Sequence, residues 1–145
     1  MSEVLTPSQI RMPGTARSKD DAIREAGEIL VTAGAVTPDY IDSMFDRERS
    51  VSTYMGNYLA IPHGTNESKE SIKRSALSVI RYPEAIDWDG NEVLFALGIA
   101  GYQGGHMDIL SRIAIVFSDT DEVDKLVAAG SAQEIYDLLN AVNQE

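Results

Sequence analysis

The chain contains no cysteine among its 145 residues. This absence excludes disulfide bonds, a thiol nucleophile and thiolate metal ligands, and it fits a reducing compartment. Histidine is scarce as well, since His63 and His106 are the only two. If the protein has a histidine-based site, we expect these two rings to form it together.

Long apolar runs and basic charge are also lacking. No segment approaches the roughly 18 apolar residues of a membrane span, and the N-terminus has no signal-peptide pattern, so we expect no direct membrane insertion. Twelve basic residues against 23 acidic ones give a net charge of −11. Nucleic acid is a poor candidate partner, because its binding depends on cationic contacts to phosphate. The negative charge suits a basic protein partner, or it only keeps the protein soluble.

What is present is an ordinary globular composition, with 43% hydrophobic residues. We expect one domain over residues 1–145, because no linker, repeat or low-complexity tract divides the chain. Helical spacing of apolar residues predicts helices at 18–33, 37–50, 106–117, 121–129 and 132–142. Short apolar or alternating runs predict strands at 10–12, 56–61, 76–82, 85–88 and 93–100. This order predicts an α/β fold, a mixed β-sheet flanked by helices on both faces.

Two local signals sharpen the predicted strands. Asp89-Gly90 is typical of a hairpin turn. Pro83 is expected to close the strand at 76–82, because proline cannot donate to a β-ladder. The run at 93–100 is the most apolar of the chain and is predicted to be a central strand.

His63 stands in the turn Pro62-His63-Gly64, directly after the predicted strand at 56–61. Since proline and glycine end the strand there, one imidazole is presented at the sheet edge on a rigid support. Imidazole titrates near neutrality and can form covalent intermediates, so His63 is a candidate nucleophile. The alternative is a strand-end histidine whose ring only satisfies local structure.

His106 stands at the predicted start of a helix, after the glycine-rich segment 101–105. Such a backbone presents N–H groups and the positive end of the helix dipole to an anion such as phosphate. The segment matches neither GxGxxG nor a P-loop, so nucleotide binding is not supported. Alternatively, His106 only fills the first turn of the helix.

Arg47 lies in the charged run Asp46-Arg47-Glu48-Arg49 at the predicted end of a helix. Arginine there complements the helix dipole, and the four charges could simply form a solvated face. The alternative is a guanidinium placed to meet a phosphoryl group. Thr53 and Thr65 could add hydroxyl donors, or could bond their local backbone in turns.

Other chemistries are less well supported. The two histidines are far apart in the chain, and no HxxxH or HExxH pattern exists, so we expect no metal site and no cofactor. A serine nucleophile is not indicated, because there is no GxSxG turn.

Several segments resemble the mannitol/fructose-type IIA proteins of the bacterial sugar phosphotransferase system, and the mannitol branch is the most similar. The likeness covers about residues 8–140, whereas residues 1–17 carry no recognisable family signature. The segments that carry it are Asp46-Arg47-Glu48, Tyr54-Met55-Gly56-Asn57, Ala60-Ile61-Pro62-His63-Gly64-Thr65, Tyr82-Pro83, Ile86-Asp87-Trp88, Gly98-Ile99-Ala100 and His106-Met107-Asp108-Ile109-Leu110.

The resemblance implies a cytoplasmic phosphocarrier with a mixed sheet flanked by helices. In the family, the histidine of the Pro-His-Gly motif accepts a phosphoryl group from HPr and passes it to a cysteine on the IIB domain of a sugar permease. His63 matches this acceptor, His106 the second histidine that orients the phosphoryl group, and Arg47 the arginine that neutralises its charge. We expect a stand-alone IIA protein that serves a IICB permease, with mannitol as the sugar.

Two other functions stay open at this point. A regulatory IIA-like phospho-switch would use the same Pro-His-Gly motif to control a transcription factor or a channel. A small-ligand binding domain would carry no covalent modification on either histidine.

Overall fold

The computed structural model describes residues 4–65, 70–102 and 105–140, and of His106 it describes the backbone only. Within these ranges a 3₁₀ turn at Pro7–Gln9 precedes the sheet and the helices. The strands are β1 (Ile10–Arg11), β2 (Tyr54–Gly56), β3 (Leu59–Ala60), β4 (Ala76–Trp88) and β5 (Asn91–Ala100). The helices are α1 (Lys19–Thr32), α2 (Tyr40–Ser50), α3 (His106–Phe117), α4 (Thr120–Ala128) and α5 (Ala132–Leu139).

The described strands form one mixed sheet in the order β1-β4-β5-β3-β2. β5 lies at its centre, as its apolar sequence predicted, and pairs antiparallel with β4 and parallel with β3. β1 is parallel to β4, and β2 is antiparallel to β3. The β4–β5 hairpin turns at Asp89 and Gly90, where φ is +56° and +94°, which confirms the predicted turn.

Helices cover both faces of the sheet, which confirms the predicted fold class. Successive residues of a strand point to opposite faces, and the sheet residues divide in this way between two apolar clusters. One cluster packs residues such as Ile80 and Ala96 against α1 and α2. The other packs Leu77, Val79 and Phe95 among residues of α3, α4 and α5.

The segment predicted as a single strand at 56–61 is instead part of a tight hairpin. β2 ends at Gly56, and β3 begins at Leu59. Asn57 and Tyr58 form the turn with φ of +51° and +67°. Positive φ at both central residues is the signature of a type I′ turn, for which asparagine is favoured but tyrosine is not. The missing Asn-Gly pair explains why the sequence did not indicate a hairpin here.

Pro83 does not end β4, contrary to the prediction from sequence. The strand continues to Trp88, and the pairing with β5 is irregular between Arg81 and Ile86. Proline is tolerated at such an irregularity, because no ladder hydrogen bond is required of its missing N–H. The two predicted strands at 76–82 and 85–88 are therefore one.

The predicted helices are confirmed, with small shifts at their ends. Ser18 accepts a hydrogen bond from the Asp21 N–H and caps α1, and Ser131 does the same for the Glu134 N–H at α5. α2 begins at Tyr40 rather than at residue 37, because a turn over 37–39 precedes it. The predicted end of the last helix, at 142, lies outside the described residues.

Candidate functional site

His63 lies beside the central strand, just beyond β3. Its backbone forms an isolated parallel bridge with Ile99, and the Ile99 N–H donates to the Pro62 carbonyl at 3.0 Å. The chain therefore runs alongside β5 for a few residues after β3 has ended. His63 is half-buried in this position. The sheet supplies the rigid support that the sequence predicted.

The ring of His63 is oriented by a backbone carbonyl. Its Nδ1 lies 2.8 Å from the carbonyl oxygen of Ile61. A carbonyl can only accept, so Nδ1 carries the proton in the neutral ring, and the lone pair is on Nε2. In this tautomer, Nε2 is the ring nitrogen of His63 that carries the lone pair.

Tyr40, which the sequence analysis did not single out, contacts the backbone on the far side of His63. Its hydroxyl donates to the carbonyl of Ile99 at 2.7 Å and accepts from the N–H of Gly64 at 2.8 Å. Burial raises the pKa of Tyr40 to about 12, although the hydrogen bond from Gly64 acts to lower it. The hydroxyl therefore stays protonated and links the turn after His63 to the end of β5.

Glu48, four residues beyond the buried Met44 of α2, is buried although it belongs to the charged run. Its carboxyl group accepts from the backbone N–H and the hydroxyl of Thr53, at 2.9 and 2.5 Å, and from Trp88 Nε1 at 3.2 Å. The alternative that all four charges form a solvated face is therefore wrong for Glu48. The local signal for this burial is the spacing of four residues from Met44, which places both residues on the same face of the helix.

Thr53 connects this buried group to the segment before His63. The carbonyl of Thr53 accepts a hydrogen bond from the Ile61 N–H at 3.0 Å. Its hydroxyl is directed to Glu48, and the residue is 4% exposed. In this structure Thr53 supports the segment before His63 through its backbone carbonyl. Thr65, the other threonine named from sequence, is half-buried two residues after His63.

Arg47 is placed in the last turn of α2, where its Nη1 donates to the carbonyl of Val51 at 2.8 Å. This contact satisfies a carbonyl at the end of its own helix, as the dipole argument predicted. Asp46 and Arg49 form a surface ion pair next to it. The hydrogen bond that the structure gives Arg47 thus lies within its own helix terminus.

His106 is the first residue of α3, as predicted, and its side chain lies outside the described part of the structure. The start of α3 lies close to the sheet edge that carries His63. A Cβ at Gly105 would approach the hydroxyl of Ser75 to 3.1 Å, and Ser75 immediately precedes Ala76, which pairs with Ala100 of β5. The backbones of the two histidines therefore flank the same end of β5.

The described residues contain no group of three or more His, Cys, Asp or Glu side chains arranged to hold a metal ion. Within the same ranges, no helix has both the length and the apolar character needed to cross a membrane.

Comparison with known proteins gives one consistent family. The family model of the phosphoenolpyruvate-dependent sugar phosphotransferase system, EIIA 2, matches residues 3–142. The mannitol-specific phosphotransferase enzyme IIA component of Halalkalibacterium halodurans is 49% identical over 141 residues, which cover 97% of each chain.

Solved structures agree with this match. The enzyme IIAMTL chain in a complex with phosphorylated enzyme IIBMTL from Escherichia coli superposes with a TM-score of 0.88 at 30% identity, covering 94% of this chain and 97% of that one. The nitrogen regulatory protein IIA-Ntr from Neisseria meningitidis gives a TM-score of 0.82 at 28% identity, covering 94% and 96%. This chain therefore belongs to the EIIA 2 family of the phosphoenolpyruvate-dependent sugar phosphotransferase system.

Proposed function

We propose that this protein is a phosphotransferase component that relays a phosphoryl group in the cytoplasm, as a single domain over residues 1–145. It accepts the group from phospho-HPr on His63 and passes it to the IIB domain of a mannitol permease. The observation that carries this proposal is the Nδ1–H bond to the Ile61 carbonyl, which leaves a nucleophilic lone pair on Nε2. Membership of the EIIA 2 family supports it.

The reaction proceeds in two in-line transfers. In the first, the Nε2 lone pair of His63 forms a bond to phosphorus while the P–N bond of phospho-HPr breaks. In the second, the thiolate of a IIB cysteine attacks the phosphorus, and the electron pair of the breaking bond returns to Nε2. The proton stays on Nδ1 throughout, and its hydrogen bond to the Ile61 carbonyl holds the ring in position. Such transfers mainly need positioning and charge stabilisation rather than covalent help from the protein.

Arg47 and His106 carry the remaining roles in this proposal. A guanidinium has five N–H donors, so the bond from Arg47 to Val51 leaves it capable of donating to phosphoryl oxygens as well. His106 would orient the same oxygens from the start of α3. The backbone N–H of Gly64 is already bonded to Tyr40, so it is not assigned to the phosphoryl group.

Mannitol is favoured over the regulatory alternative by the degree of similarity. The relative from Halalkalibacterium halodurans, at 49% identity, is named mannitol-specific. The nitrogen regulatory protein shares the fold at 28% identity. A regulatory phospho-switch remains the second candidate, because the fold and the Pro-His-Gly turn would serve both functions.

The test is to incubate the protein with phosphoenolpyruvate, enzyme I and HPr and to measure an acid-labile phosphate by intact mass. Wild type should be labelled, and His63→Ala should not. His106→Ala should still accept the group and should slow its transfer to IIB. Adding IIB domains of different sugar specificity then identifies the sugar, with mannitol-type IIB expected to discharge the protein fastest.

An unlabelled wild type would disprove the phosphocarrier function and would leave the small-ligand alternative. Normal labelling of His63→Ala would move the nucleophile elsewhere. Labelled protein that no sugar-specific IIB discharges would favour the regulatory switch.

A further inference from the structure

Tyr40 binds to the peptide group that directly follows the proposed phosphoryl acceptor. We propose that Tyr40 is a positioning residue for phosphoryl transfer, because its buried hydroxyl fixes the His63–Gly64 peptide against the end of β5. This inference rests on the proposed function of His63. It adds a residue that touches neither the phosphoryl group nor a partner protein.

The hydrogen bonds of the hydroxyl reach two separate segments. The hydroxyl donates a hydrogen bond to the carbonyl of Ile99 and accepts one from the N–H of Gly64. Ile99 is also the bridge partner of His63. One oxygen atom thus joins the turn after His63 to the strand that already flanks His63, and this restrains the rotation of the peptide plane next to the reacting residue.

The segment before His63 is held by other groups. The Ile61 N–H donates to the Thr53 carbonyl, and the Ile99 N–H donates to the Pro62 carbonyl. These bonds end before the His63–Gly64 peptide. On the C-terminal side, the bond to Tyr40 is what the structure provides for the Gly64 N–H. Without it, the ring could keep its bond to Ile61 only with a backbone that is less restrained.

Tyr40 cannot act by direct contact with a partner, since it is 2% exposed. It lies at the first position of α2 and packs in the apolar cluster between α1, α2 and the sheet. Its contribution must therefore pass through the backbone of His63 and Gly64. This predicts a change in the rate constant of transfer and no change in the affinity for phospho-HPr.

The test is the substitution Tyr40→Phe, which removes one oxygen atom and keeps the ring in the apolar cluster. The rate constant of transfer from phospho-HPr to His63 should fall by roughly tenfold to a hundredfold, as expected when a reacting group is displaced by up to about 1 Å. The KM for phospho-HPr should stay the same. In ¹⁵N spectra, the separation between Nδ1 and Nε2 of unphosphorylated His63 should decrease, as the preference for one tautomer weakens.

Tyr82→Phe is the matched control. The Tyr82 hydroxyl is also buried and donates to Glu25, at 2.9 Å. Ala76 of β4 pairs with the end of β5 near His63. Tyr82 lies six residues further along β4, which places it about 20 Å from Ala76 along the strand. Both variants lose a buried hydroxyl and should lower the melting temperature. The control should transfer phosphoryl at the wild-type rate and keep the wild-type ¹⁵N signals of His63.

The possible outcomes separate this inference from the proposed function. Wild-type transfer rates and His63 signals in Tyr40→Phe would overturn the inference and leave the function intact. Equal slowing in both variants would also overturn it, because the effect would then follow general stability. If Tyr40→Phe does not fold, amide hydrogen exchange in the wild-type protein tests the inference instead. The Gly64 amide should be protected from exchange. Exchange as fast as in an open turn would contradict the inference. Absence of labelling in wild type disproves the function itself, while the His63 spectra still test the positioning.

Discussion

The carbonyl of Ile61 determines which nitrogen of His63 carries the proton and which carries the lone pair. Its bond to Nδ1 places the lone pair on Nε2. The sequence identified His63 from its turn and from the resemblance, but it left the reacting nitrogen undefined. Ring orientation depends on side-chain rotamer and on a backbone atom two residues away, and neither is encoded in a pattern of residue types.

Glu25 is a second residue whose role depends on its environment. It is 4% exposed and accepts hydrogen bonds from Arg11, from the backbone and hydroxyl of Thr15, from the Ala16 N–H and from the Tyr82 hydroxyl. Burial alone would raise the pKa of this carboxyl. The hydrogen bonds from Thr15, Arg11, Tyr82 and Ala16 outweigh burial and lower the pKa of Glu25 from 4.5 to about 2. This residue fastens the segment before α1 to the sheet.

The lowered pKa of Glu25 gives a prediction for stability against pH. Because the folded-state pKa lies below the unfolded one, the stabilisation is complete above about pH 5 and is lost as the pH falls toward about 2. Glu25→Gln should lower the free energy of unfolding by roughly 3 kcal/mol at pH 6. The difference from wild type should shrink toward zero near pH 2, as measured by urea unfolding across this range.

Glu84→Gln is the control for that series, since the side chain of Glu84 is 82% exposed. Its unfolding free energy should follow wild type at every pH. A difference between wild type and Glu25→Gln that stays constant from pH 6 to pH 2 would contradict the role given to the ionised Glu25.

At the scale of elements, α2 holds the His63 segment from one side. Tyr40, Met44 and Glu48 follow one another at intervals of four residues and are the buried residues of this helix. Such spacing places them on a single face. The face therefore carries a polar group at each end. Tyr40 is bonded to Gly64, directly after His63. Glu48 is bonded to Thr53, whose carbonyl accepts from the Ile61 N–H before His63.

Glu48→Gln tests the polar group at the C-terminal end of this face. The amide nitrogen would bring a donor to a place where Thr53 and Trp88 already donate. One or more of these buried donors would lose its partner, which should lower the free energy of unfolding by about 1–3 kcal/mol. Urea unfolding at pH 7 measures the loss.

Glu84→Gln provides the comparison, because the side chain of Glu84 is 82% exposed and its ion pair with Arg17 is long, at 3.8 Å. Its unfolding free energy should change by less than about 0.5 kcal/mol. Equal and small effects at both positions would mean that the Glu48 cluster contributes little to stability.

The β2–β3 hairpin is the element that the sequence predicted least well. The tip of this hairpin is hydrogen-bonded to the end of α3, because Asn57 Nδ2 donates to the carbonyl of Phe117 at 2.7 Å. This long-range bond helps to hold Asn57 and Tyr58 at positive φ. A window of local sequence cannot contain it, since the two residues are sixty positions apart.

For the molecule as a whole, the net charge of −11 predicts how it meets its partners. Attraction between exposed charges is screened over about 10 Å at 0.1 M salt. Raising the ionic strength from roughly 0.05 M to roughly 0.5 M should therefore increase the KM for phospho-HPr several-fold and leave the rate constant of transfer unchanged. Steady-state labelling kinetics measure both quantities.

Potassium chloride and potassium acetate at equal ionic strength should give the same increase, which separates screening from binding of a particular anion. A KM that does not respond to salt would mean that the acidic residues serve solubility alone. A fall in the rate constant of transfer without a change in KM would mean that salt acts on the transfer step within the site and not on the association with phospho-HPr.

Apolar periodicity and turn residues, which are local properties of the chain, predict the α/β class, the central strand β5 and the five helices that the described residues contain. His63, His106 and Arg47 come from the order of motifs and from the family resemblance, and their roles stay predictions. The packed structure is needed to show that Pro83 lies inside a strand, that Glu48 is buried and that the Tyr40 hydroxyl bonds the turn after His63. Each depends on contacts with other elements: the pairing of β4 with β5 for Pro83, the donors of Thr53 and Trp88 for Glu48, and the backbone of Gly64 and Ile99 for Tyr40. A local pattern of residue types does not contain these contacts.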